Sequence, residues 1–161
     1  MDENDRPKSE ADLPSEIREQ LRAMRESAPP GMRHNGRYRL VGQTPVPCED
    51  LIEWATPYET GRDYQVGLSK VGSYEVSTIF LAVDHSFQRF NGEPHTPILF
   101  ETAVFELDEE NEFGRTLKNI TRCATWLEAE EQHKRICGHL AREFNAPIEE
   151  IPWREPLPEV K

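Results

Sequence analysis

The chain has 161 residues, three cysteines and a formal net charge of −11 at pH 7. That length fits one ordinary domain with a tail or two and leaves little room for a second core. The negative charge repels phosphate backbones and anionic lipid, so direct nucleic-acid binding and membrane-surface binding are not expected.

The charge divides unevenly. Residues 1–37 carry 8 acidic and 7 basic side chains, so residues 38–161, with 22 and 12, hold −10 of the total. If this field drives association, the partner is expected to be a protein and a basic one. Cys48, Cys123 and Cys137 are odd in number and lack C-x-x-C spacing, so neither a disulfide framework nor a thiolate zinc site is expected. A reducing compartment, the cytoplasm, suits them. Met1–Pro7 lacks the basic start and apolar core of a signal peptide, and no apolar run reaches membrane-spanning length. Dinucleotide fingerprints, phosphate-cradling glycine loops and nucleophile elbows are absent from the sequence, and no cofactor is expected.

In chain order, residues 1–36 are polar and broken by Pro7, Pro14, Pro29 and Pro30, which suggests a flexible arm. One short helix can open at Pro14–Glu16 and align Ile17, Leu21 and Met24, too few apolar residues to hold it without a partner surface. A single α+β domain is expected over residues 37–145. Tyr38–Val41 is a short strand candidate, and Gly42–Pro47 a turn-rich exit. Glu49 and Asp50 crowd the first turn of a helix over about residues 48–56, which Pro57 should end or kink near Thr56. Tyr64–Val71 forms a weaker strand interrupted by Gly67, and Gly72-Ser73 turns the chain onward.

Two apolar runs, Val76–Val83 and Ile98–Phe105, are rich in β-branched and aromatic residues and too short for typical helices. They predict a central strand pair, about 75–84 and 97–106, joined antiparallel through a loop holding Asn91-Gly92 and two prolines. The acidic run Glu106–Glu112 reads as a solvated loop. Thr125–Glu128 has capping-box spacing, and Trp126, Ala129, His133, Ile136, Leu140 and Phe144 recur at helical intervals. A helix over about 125–144 should therefore pack on a small antiparallel sheet, with Asn145 and Pro147 as stop signals and residues 146–161 as a Pro-rich tail.

Four polar residues stand where a purely structural sequence favours apolar ones. Glu101 shares its alternation with Leu99, Ala103 and Phe105, and is expected to face the packed side of the sheet. His133 lies inside the helical stripe, and Asp84 and His85 close the first central strand. If helix and sheet meet, Asp84, His85, Glu101 and His133 are candidate catalytic residues, with a carboxylate orienting an imidazole; Asp84, His85 and His133 are the candidate metal ligands. The competing account is a hydrogen-bonded pair that satisfies buried polar groups.

The order of several segments resembles a family of small proteins of tailed bacteriophages and prophages. They are Tyr38–Pro47, Leu51–Ala55 with Glu59-Thr60, Val76–Leu81 with Asp84-His85, Pro97–Thr102, and Thr125-Trp126 with Glu128, Ala129 and His133. The likeness spans roughly residues 38–140. It departs at Ala82, where that family usually has glycine, and in a longer, more charged loop after His85. The resemblance implies a phage origin and one compact domain, and supplies no activity. The expected function is a small acidic phage-encoded accessory protein that binds a protein in the host cytoplasm, the alternative being an enzyme with a carboxylate–histidine site, such as a metal-assisted hydrolase.

Overall fold

Alternating β-branched and aromatic residues along the second half of the chain build most of one sheet; the computed structural model describes residues 9–27, 36–60, 64–86, 95–108 and 114–152. A 3₁₀ turn at Glu10–Asp12 leads into α1 (Ser15–Ser27), then β1 (Tyr38–Val41), β2 (Thr44–Pro47) and α2 (Leu51–Thr60). The sheet follows as β3 (Gln65–Val71), β4 (Tyr74–Phe80), β5 (Phe100–Leu107) and β6 (Arg115–Cys123), before α3 (Trp126–Phe144) and β7 (Ile148–Glu150). The five strands are all antiparallel in the order β6-β5-β4-β3-β7, and β1 and β2 form a separate hairpin. The fold is thus α+β, with the central pair β4–β5 antiparallel as expected.

Register sorts the side chains between the two faces. Val76 lies opposite Val104, Thr78 opposite Thr102 and Phe80 opposite Phe100. These alternate positions all face α3. At one end Phe80, Leu99, Phe100 and Ala129 pack with Tyr64, Trp54 and Trp126; at the other Val71, Val76 and Val104 pack with Cys137 and Leu140. Thr125 caps α3 by accepting from the Glu128 N–H at 3.2 Å, while the Glu128 carboxylate accepts from the Thr125 N–H at 3.0 Å. This is the capping box legible in the sequence.

Several boundaries differ from the sequence reading. β4 ends at Phe80 rather than near residue 84, because Ala82 takes a left-handed φ of 57° that no strand accommodates. Gly42 to Pro47 is not simply an exit: Gly42, at φ 62°, makes the turn, and Thr44–Pro47 returns along β1. α2 runs on past Pro57 to Thr60, and Asp50 starts the helix by accepting from the Ile52 and Glu53 N–H groups, both at 2.9 Å. β5 extends through Glu106 and Leu107 into the expected acidic loop. β6 went unrecognised, its Thr, Lys and Asn positions giving little apolar alternation, and β7 draws the start of the expected tail into the sheet against Ser69–Val71.

The arm is also tied down near its start. The Glu10 N–H donates to the Asp50 carboxylate and the Leu51 N–H to the Glu10 carboxylate, both at 2.6 Å, so Glu10 completes the α2 N-terminus. The loop around Asn91-Gly92, the Pro29-Pro30 breaker, residues 109–113 of the acidic run and the end of the tail lie outside the described residues. Among the described residues no helix is long and apolar enough to cross a membrane.

Candidate functional site

α3 lays His133 across β3 and β4, and the strand opposite makes room for it. A Cβ on Gly67 would come 3.0 Å from the imidazole, so the glycine that weakened the strand signal is what lets the ring lie against the backbone. His133 Nδ1 lies 2.8 Å from the Thr78 hydroxyl and Nε2 3.0 Å from the Ser69 hydroxyl. Thr78 in turn lies 2.9 Å from the Thr102 hydroxyl, which accepts from the Gln132 amide at 2.9 Å, and Gln132 donates to the Thr121 carbonyl at 3.1 Å. One direction satisfies every member: Gln132 donates to Thr102, Thr102 to Thr78, Thr78 to His133 Nδ1, and the Nε2–H to Ser69, whose own hydroxyl can donate to the Cys137 sulfur.

Ser69 and His133 have the separation of a nucleophile and its base, yet their surroundings do not activate them. Burial pulls the His133 pKa below its ordinary value, and Nδ1 meets an uncharged hydroxyl rather than a carboxylate that would stabilise an imidazolium. Ser69 is 2% exposed. Burial likewise pushes up the thiols of Cys48 and Cys137, and that of Cys123 to about 11, so none is a ready thiolate.

The other candidate residues lie elsewhere. Asp84 accepts from the Ser86 and Ile98 N–H groups at 2.8 and 3.0 Å and from the Ser86 hydroxyl at 3.1 Å, and His95 Nε2 lies 2.6 Å away. Burial alone would raise its pKa, but these donors hold it below the usual carboxylate range. Asp84 therefore fastens both ends of the segment between β4 and β5. Its imidazole partner is His95, which carried no periodic signal, and not His85 or His133. His85 is exposed. Glu101 corrects the expectation of a packed position: it follows Phe100 and precedes Thr102, so alternation turns it to the face away from α3, where it pairs with Arg122 at 2.8 Å. The expected convergence of Asp84, His85, Glu101 and His133 does not occur, and among the described residues no cluster of three or more His, Cys, Asp or Glu is placed to hold a metal ion.

Two features the sequence reading missed meet at β6. On the face away from α3, Ala103 lies opposite Ile120 and Phe105 opposite Leu117, and Ile79, Leu117 and Ile120 are 37%, 48% and 41% exposed. On the α3 side a groove of about 620 Å³ opens, with Tyr74, Val104, Arg135, Ile136, Leu140 and Arg142 among its lining. No family model matches the chain, and neither a curated protein nor a solved structure shows significant similarity to it.

Proposed function

We propose that this is a phage-encoded accessory protein that works in the bacterial cytoplasm by binding another protein through the open side of its sheet at β6. One observation carries the reading: among the described residues α3 covers one face of the sheet, while on the other Ile79 of β4 and Leu117 and Ile120 of β6 present large apolar side chains to water. Large apolar side chains gathered on one open face mark interaction sites more often than scattered single residues do. The phage setting rests on the sequence resemblance.

The test is affinity capture from host lysate with the full chain and with a Leu117→Glu/Ile120→Glu variant, followed by reconstitution with the purified partner. A stoichiometric protein held by the native chain and lost by the variant is the expected result. Identical recovery on both, or none on either, overturns the reading. A turnover activity abolished by His133→Ala would replace it with the enzyme alternative.

A further inference from the structure

β6 is the exposed edge of the sheet, nine residues long. Such an edge offers unpaired N–H and C=O groups to another strand. The Leu99 N–H donates to the Cys123 carbonyl at 3.1 Å and Thr121 lies opposite Thr102, so both turn their backbone groups toward β5. By alternation Ile120 and Arg122 turn theirs outward. A bulge at Lys118, between the Val104–Asn119 and Phe105–Leu117 pairs, breaks the strand, and the stretch from Asn119 to Cys123 is regular. The opposite edge, β7, is three residues long and carries Glu149 and Glu150.

The groove adjoins that regular stretch. Its volume falls in the range of ligand sites. Arg135 and Arg142 are seven residues apart on one helical face, about 10 Å along the axis, within side-chain reach of two carboxylates four residues apart on one face of an extended chain, about 13 Å, with one same-face residue between them. Among the described residues neither guanidinium pairs with a carboxylate, whereas the β6 cations all do: Arg115 with Glu75, Lys118 with Glu106 and Arg122 with Glu101. The helix dipole accounts for a cation in the last turn, such as Arg142, but not for Arg135 two turns earlier. In a chain of net charge −11, two uncommitted arginines lining a groove whose carboxylate, Glu143, lies 3.3 Å from the His139 imidazole form a local site of opposite sign.

We propose that this groove receives an acidic, extended segment of the protein partner, which adds to β6 as a further strand, seats an apolar side chain between β6 and α3, and places carboxylates on Arg135 and Arg142. The proposal rests on the protein-binding reading and specifies the segment's chemistry. For the contact itself it reverses the basic partner expected from net charge.

The test uses the full chain and a fluorescein-labelled peptide repeating Glu-Thr-Val-Thr, which sets glutamate and valine on one face of a strand, against the same peptide with lysine for glutamate. The glutamate peptide should bind tighter, and Arg135→Glu/Arg142→Glu should weaken it by at least about tenfold in anisotropy titrations. Arg18→Glu/Arg22→Glu makes the same charge change on α1 and should leave binding within about twofold. Ile120→Pro removes an outward N–H together with the Ile120 side chain and should abolish binding, whereas Ile120→Thr, which loses the apolar side chain and keeps the N–H, should retain it; the peptide should also slow amide exchange at Ile120 and Arg122 in the native chain. Equal binding of both peptides, or no loss in the Arg135→Glu/Arg142→Glu variant, overturns the proposal. If partner capture still fails with Leu117→Glu/Ile120→Glu in that event, protein binding stands and only strand addition falls.

Discussion

On the covered face of the sheet, β4 and β5 present Thr78 and Thr102 to α3, and each hydroxyl sits in a chain running from Gln132 through His133 to Ser69. One position along each strand, on the open face, the polar groups are instead full charges, such as Glu75 with Arg115 and Glu101 with Arg122. The same backbone thus carries two kinds of polar chemistry. Where water is excluded, groups are neutral and joined end to end, because an unpartnered one costs its full desolvation. Where water reaches, ions pair loosely and the cost of breaking a pair is small.

The sharpest way to probe this difference is through the apolar residues around the chain. Phe100 is fully buried, with ring centroids 5.3 Å from Phe80 and 6.2 Å from Trp126. Phe100→Ala should lower unfolding free energy by about 3–5 kcal/mol in urea titrations, against about 0.5 kcal/mol or less for a surface change such as Thr116→Ala on the exposed edge. Thr102→Val comes next. It keeps the volume and deletes the hydroxyl between Thr78 and Gln132, leaving a buried amide hydrogen short of its acceptor, for a loss of about 1–3 kcal/mol. A neutral Thr102→Val would mean the chain is dispensable and the contrast between faces is one of burial alone.

The covered face was the more legible of the two. Val76, Phe80, Leu99 and Phe100 announce buried strands by composition, and Thr125 with Glu128 announces α3, because those signals are local in sequence. His133, half-buried in the structure, stood out as a polar residue in an apolar stripe. Its partners did not, since Ser69, Thr78 and Thr102 are common strand residues whose role depends on register between distant segments. Glu101 was misplaced because Leu99, Ala103 and Phe105 suggested the wrong packed face: Leu99 precedes the regular strand, so its burial says nothing of the alternation that follows. β6 was missed because an edge strand exposed to water needs no apolar alternation.

A pH titration tests the covered face without altering its packing. Burial holds the His133 pKa below its ordinary 6.5, so the unfolded chain takes up the proton first as pH falls. The stability owed to neutral His133 is complete above about 6.5 and is lost as pH drops toward the lower folded value. Protonation also turns Nδ1 into a donor facing Thr78, which reverses the chain and strands one hydroxyl hydrogen. The melting temperature should therefore decline between pH 7 and 5, more steeply in the native chain than in His133→Gln. Equal slopes would show that His133 is neutral in both states or solvated when folded. The carboxylate of Asp84, also held below its usual range, adds a loss of the same sign at lower pH.

The smallest effect belongs to the open face, and it decides how open that face is. Glu101 and Arg122 are paired at 2.8 Å with side chains 17% and 41% exposed, between the extremes of a surface pair and a buried one. A double-mutant cycle of Glu101→Gln and Arg122→Gln should return a coupling of about 0–1 kcal/mol that shrinks as salt is raised. Both charges lie beside Ile79 and Ile120, whose exposure keeps water near the pair. A coupling above about 2 kcal/mol, insensitive to salt, would instead require that something covers this face in the free protein. The same cycle repeated with a captured partner bound should then give a larger coupling than in the free chain, because a strand laid along β6 would exclude the water that now screens Arg122.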